Sequence, residues 1–186
     1  MKRLLVLGLS LLSILAYAEP KPHYIWNQTP ASYETLWLSF GADYARVDAE
    51  NATFDPFLIH LRADYFSHQN WRHQIYAVTG LGEEQESDAA LNYELGFGYL
   101  LGFSERLDNQ LLATASVGIG AQRIEIKEQT GAKTKQYQGA FIWKFSLEEP
   151  IQALPGWRGY MEAGTYCECE ENRTVHYSIG IKRAFN

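Results

Sequence analysis

Between residues 91 and 103 the chain alternates in character from one position to the next. Leu91, Tyr93, Leu95, Phe97, Tyr99, Leu101 and Phe103 fall on one parity; Asn92, Glu94, Gly96, Gly98, Leu100 and Gly102 fall on the other. Successive side chains of a strand point to opposite faces, so this period predicts a strand with one apolar, aromatic face and one small, mostly polar face. A strand in a soluble sandwich runs about five or six residues. A barrel strand that crosses a bilayer needs about 9–11. Length and pattern together predict a membrane-spanning β-barrel.

Seven further segments carry versions of the same pattern. They lie near residues 33–44, 56–66, 71–81, 111–126, 137–147, 157–166 and 175–185. In the first, Leu36, Leu38, Phe40, Ala42 and Tyr44 oppose Thr35, Trp37, Ser39, Gly41 and Asp43. In the second, Phe57, Ile59, Leu61, Ala63 and Tyr65 oppose Leu58, His60, Arg62 and Asp64. Residues 71–81 are less regular, with Ile75, Ala77, Thr79 and Leu81 against Arg72, Gln74, Tyr76 and Gly80. Eight is an even count, as a single-chain barrel of this kind requires. The predicted fold is all-β: a closed, antiparallel, up-and-down transmembrane barrel of eight strands. With a periplasmic N-terminus the odd connections lie outside the cell, and most are the longer ones. The sixth connection fits least well: read as EEPIQALPG, it is long for a periplasmic turn.

The N-terminus agrees with export. Lys2 and Arg3 precede an uncharged apolar run over residues 4–16, and Ala16-Tyr17-Ala18 supplies the small residues of a cleavage site. The run is too short for a spanning helix and has the flanks of a signal peptide. The expected organisation is a signal peptide over 1–18 and one barrel domain over 19–186, with a short N-terminal extension over about 19–31. Cleavage removes two cations and no carboxylate, taking the net charge from −6 to −8. That balance argues against nucleic acid, which needs a basic stripe. Twelve tyrosines, nine phenylalanines and five tryptophans suit aromatic girdles at the two membrane interfaces.

Whole-chain pattern, length and signal segment resemble the small eight-stranded outer-membrane barrels of the OmpX, OmpA N-terminal and opacity-protein type. The resemblance implies a cell outer-membrane location and mobile surface loops. It also implies lipid, lipopolysaccharide and the barrel-assembly machinery as partners, and an extracellular ligand held through the loops. Phe185 is penultimate, one place short of the usual aromatic terminus.

Alternation labels two faces without saying which points out. A lipocalin-type barrel turns its apolar face inward, whereas a membrane barrel turns it to lipid. The charged face carries both signs, and eight strands leave little interior space. The expectation is therefore an ion-paired lumen in which Arg62, Lys144, Arg158 and Lys182 meet Asp43, Asp64, Glu94 and Glu162. Most glycines fall on that face and would make room for Tyr76, Tyr160 and the long charged chains.

Three candidates for chemistry stand out. His176 and Ser178 share a strand face and look like the His-x-Ser element of PagL-type lipid A deacylases, in which His activates Ser for attack on an ester. Ile179 stands where that pattern has Asn, and no acidic residue follows. Cys167 and Cys169 form a C-x-C pair beside Glu168, Glu170 and Glu171; this is neither a redox nor a zinc spacing. Glu83, Glu84, Glu86 and Asp88 form an acidic loop suited to solvation or divalent cations. None of these establishes a catalytic, cofactor or metal site. The expected protein is non-enzymatic, with structural or surface-binding work done by its outer loops. A small-solute channel and a lipid A modifying enzyme are the alternatives.

Overall fold

A computed structural model describes residues 36–49, 52–66, 70–86, 88–107, 111–128, 130–168 and 173–185. The expected signal peptide and N-terminal extension lie outside the described residues. Ten strands follow one another: β1 (Leu36–Ala49), β2 (Ala52–Phe54), β3 (Phe57–Phe66), β4 (Trp71–Gly80), β5 (Glu83–Glu86), β6 (Ala89–Arg106), β7 (Leu112–Lys127), β8 (Lys133–Pro150), β9 (Trp157–Glu168) and β10 (Arg173–Phe185). Eight are long and pair antiparallel with their neighbours. The last returns to the first from Leu36 opposite Phe185 to Asp48 opposite Arg173, which closes the sheet into a barrel. Closure gives each spanning strand a hydrogen-bonded neighbour on both sides, and hydrocarbon demands this of a sheet that crosses it. The short β2 folds back on the end of β1, and β5 on the start of β6, both at the end bearing the odd connections.

The alternation resolves as a membrane barrel. Leu61, Ile75 and Ile119 are more than 60% exposed, while Arg72 and Glu148 are fully buried. The apolar parity therefore covers the outside and the charged parity fills the inside. Aromatic side chains mark the short-turn end of the exterior. Trp71 packs edge-on to Phe103 at 5.5 Å, and Tyr65, His73 and Tyr99 stack in a row beside them.

The sixth connection proves short. Strand β8 continues to Pro150, and residues 151–156 form a compact turn. Ile151 N donates to Trp157 O, and Gly156 takes φ +81°, a left-handed conformation that favours glycine. The β7–β8 hairpin reaches farthest in the opposite direction. Its ladder extends to Lys127 opposite Lys133, whereas β8 meets β9 only from Ala140 onward.

One strand departs from strict alternation. The register of β6 against β7 slips between Tyr93 and Leu95. A bulge adds a residue on one side of a ladder and switches the facing of everything beyond it. Leu95, Phe97, Tyr99, Leu101 and Phe103 face lipid as the pattern predicts. Leu91 and Tyr93, expected on the same face near the outer girdle, are instead buried inside the barrel.

Candidate functional site

The lumen is built in two tiers. The lower tier, toward the short turns, is charged. Glu148 from β8 is ringed by Arg72 from β4, Lys182 from β10 and Arg158 from β9, with Arg158 Nε 3.9 Å from Oε2. Asp64 from β3 lies 3.0 Å from Arg62 Nε, 3.5 Å from Lys182 Nζ and 3.6 Å from Arg72 Nη1. Glu162 from β9 accepts from Lys144 Nζ at 2.8 Å and from Arg62. Five buried cations thus meet Asp64, Glu148 and Glu162 in one continuous network across the lumen, where a buried charge left without a partner would be costly. Aromatic rings complete it. Lys144 Nζ sits 4.5 Å over Tyr76, the Arg62 guanidinium 4.8 Å over Tyr160, and Lys182 Nζ 5.2 Å from the centre of Trp37.

Above the network Asp43 binds the Nδ1 of His60, whose Nε2 meets the Tyr160 hydroxyl. His176 Nδ1 lies 3.9 Å from the other Asp43 oxygen, and the His176 ring packs against Tyr166 at 4.3 Å. Glycines admit these large groups. A methyl at Gly98 would lie 2.6 Å from the Tyr76 hydroxyl, and one at Gly41 would meet both His60 and Tyr160 at that distance.

The upper tier is apolar. Val47, Phe54, Leu58, Val78, Leu91, Tyr93, Leu100, Ile124, Ile142 and Tyr166 form one buried cluster, with Ala52, Ala89 and Ile126 packed against it. Phe54 comes from the short β2, so the folded-back loop helps to plug the barrel. The Tyr93 hydroxyl donates to Gln122 at 2.7 Å, and Gln122 donates to Gln138 at 3.0 Å. The backbone N–H of Thr53 donates to Glu86 at 2.9 Å, tying β2 toward β5.

Part of the expected ion-pair set is brought together: Arg62, Lys144 and Lys182 meet Asp64 and Glu162 as predicted. Two members are elsewhere. Asp43 belongs to the histidines. Glu94, expected in the lumen, sits in the bulge and pairs outside with Arg123 and, at 3.4 Å, with Lys135. Arg158 meets Glu148, which lies in the expected sixth connection EEPIQALPG and so outside the expected ion-pair set. The signal was present: Lys144, Ser146 and Glu148 share one parity. Arg72 was placed on the correct face but given no partner.

His176 and Ser178 both point into the lumen, beneath the apolar tier. Neither His176 nitrogen nor the Ser178 hydroxyl has a hydrogen-bond partner within the described residues. Activation of a serine requires the histidine to hold its proton by a hydrogen bond, and no such bond joins them. Cys167 is the penultimate residue of β9, and its partner in the C-x-C pair lies outside the described residues. On the projecting β6–β8 sheet, Lys133 Nζ donates to Glu125 at 2.9 Å, with Lys135 at 3.8 Å from the same carboxylate. The Lys133 ammonium holds the Glu125 carboxyl below the usual carboxylate range.

The chain matches no family model and no curated protein sequence. Solved structures do resemble it. Neisserial surface protein A aligns at a TM-score of 0.62 and 10% identity, covering 81% of this chain and 97% of that one. Ail, the attachment invasion locus protein of Yersinia pestis, aligns at 0.60 and 13%, covering 81% and 98%. The N-terminal β-barrel domain of Pseudomonas aeruginosa OprF aligns at 0.53 and 11%, covering 79% and 97%. The fold is that of the small eight-stranded outer-membrane barrels. In this barrel the apolar exterior meets lipid, side chains fill both tiers of the lumen, and the long-loop end carries the projecting β7–β8 hairpin.

Proposed function

We propose that the chain is exported by a signal peptide over residues 1–18. The remainder then works in the bacterial outer membrane as a non-enzymatic barrel that binds ligands through its long-loop end. The filled lumen carries this reading. An ion-pair network beneath an apolar plug favours neither solute passage nor substrate access to His176 and Ser178. The short turns then face the periplasm, and lipopolysaccharide surrounds the projecting hairpins. Insertion by the barrel-assembly machinery goes with that location.

The β7–β8 hairpin is the favoured contact. Lys127 and Lys133 stand opposite each other near its tip, with Lys135 and Arg123 below them. Arg123, Lys127, Lys133 and Lys135 outnumber Glu125 and Glu128 on the hairpin and Glu94 beside it, which leaves this region slightly basic on an otherwise acidic protein, a surface suited to an anionic glycan. Ail has been crystallised with the heparin analogue sucrose octasulfate, which makes that compound a rational probe. Titration of the barrel in lipid nanodiscs should show saturable, salt-sensitive binding of sucrose octasulfate. Replacing Lys127, Lys133 and Lys135 together by Gln should abolish it. Absence of wild-type binding rejects the anionic-glycan ligand. Stepwise conductance in planar bilayers would favour a channel instead, and loss of an acyl chain from lipid A would favour an enzyme.

A further inference from the structure

Every lumen cation described above has a carboxylate partner; Arg183, on the outside, has none among the described residues. Arg183 lies on the outward parity of β10, between Ile181 and Phe185, and is exposed. Among the described lipid-facing residues at the short-turn end it is the only lysine or arginine. No Asp or Glu lies within ion-pair distance of it among the described residues. Its contacts are aromatic: the guanidinium sits 5.6 Å from the centre of the Trp157 ring and 5.6 Å from that of Phe185. Trp157 is its cross-strand partner and the first residue of β9, directly after the turn over 151–156. Ala184 N donates to Gly156 O, which fixes this stretch of β10 at the level of that turn.

These positions have a physical consequence. A lone cation on the lipid face is costly at the bilayer midplane, and the cost fades near the interface. Trp157 belongs at the interface, where amphipathic rings settle, and Phe185 stands on the other side of the same cation. Ring contact keeps the guanidinium at that depth and shields its faces. Among the described residues nothing engages its N–H edge, a planar fork suited to two oxygens of one phosphate. The geometry is that of a cradle with two aromatic walls, a cationic floor and no anion from the described residues to fill it.

We infer that Arg183, Trp157 and Phe185 form a binding site for the phosphate of a phospholipid in the leaflet at the short-turn end, with preference for a net-anionic headgroup. The site fixes the depth and rotation of the barrel from the side opposite its ligand-binding loops. The inference rests on the proposed orientation only for naming that leaflet periplasmic. The site itself follows from the end of the barrel on which it lies.

The test is native mass spectrometry of the intact folded barrel, released from mixed micelles holding phosphatidylglycerol and phosphatidylcholine in equal amounts. Wild type should retain phosphatidylglycerol in excess. Arg183→Gln should lower the ratio of bound phosphatidylglycerol to phosphatidylcholine by about fivefold, the contribution of one basic residue near an anionic membrane surface. Arg46→Gln, at the opposite end where Arg46 pairs with Asp48 at 3.8 Å, should leave the ratio unchanged. An unchanged ratio in Arg183→Gln, or an equal fall in Arg46→Gln, overturns the site. If Arg183→Gln does not fold, Trp157→Leu keeps the charge and removes one wall. A lower ratio then supports the cradle, and a wild-type ratio rejects it. A failure of the long-loop function would appear in glycan titration and leave these ratios untouched.

Discussion

The two tiers of the lumen are neighbours on the same strands and solve the same packing problem by opposite means. The lower tier fills the barrel with long charged chains locked by partners on other strands. The upper tier fills it with Leu, Ile, Val, Phe and Tyr, as the core of a soluble protein would. A single strand passes through both: β3 contributes Leu58 to the apolar plug, then His60, Arg62 and Asp64 downward. An inward position in a narrow barrel therefore requires volume and partners rather than polarity. Ion pairs supply these only where complementary charges converge from several strands at once. The apolar tier makes fewer such demands, since any well-fitting side chain serves.

The comparison makes ranked predictions, each checked by urea unfolding of the barrel in lipid vesicles followed by tryptophan emission. Glu148→Ala should have the largest effect. It leaves Arg72, Arg158 and Lys182 facing one another without their shared carboxylate, and breaking a buried pair costs about 3–5 kcal/mol. A loss below that of Leu58→Ala would show that water or an anion enters the lower tier. Leu58→Ala in the apolar tier should cost about 3 kcal/mol, within the usual range for a buried leucine. Its loss should be insensitive to salt.

Gly98→Ala comes next, at about 1–3 kcal/mol for overpacking, because the added methyl runs into the Tyr76 ring. Gly98→Ala combined with Tyr76→Leu should recover part of that loss, whereas additive losses would mean that the two sites do not touch. The smallest effect belongs to Lys133→Gln on the exposed hairpin. The Lys133–Glu125 contact holds the Glu125 pKa below its unfolded value, so what it adds to stability is present above the ordinary carboxylate range. That contribution is lost as pH falls through the lowered pKa. Wild type and Lys133→Gln should therefore differ slightly at neutral pH and converge in acid. A difference that persists in acid would assign Lys133 a role beyond this pair.

Much of the barrel was legible along the chain because its strands obey a two-residue period. Residues 57–65 and 97–103 show every side chain on its predicted face. The failures have specific causes. Leu91 and Tyr93 carry the same parity and apolarity as Phe97, and nothing local distinguishes them. The bulge beside Glu94 appears only in the register of β6 against β7. Glu148 was hidden by the prolines that follow it, although its parity with Lys144 pointed inward. Asp43 was on the correct face, but its choice of His60 over a lysine depends on register between strands.

The sequence by itself determined the strand count, the two-faced character of each spanning segment and the presence of a charged set on one parity. These follow from backbone geometry, which ties side-chain direction to residue number. Only the tertiary structure decided which face meets lipid, where the alternation slips, and which charges share a partner. It also placed Arg183 between two rings, with no carboxylate beside it among the described residues. Those outcomes depend on closure and register, and so on distances between residues far apart in the chain, such as the 76 positions between Arg72 and Glu148.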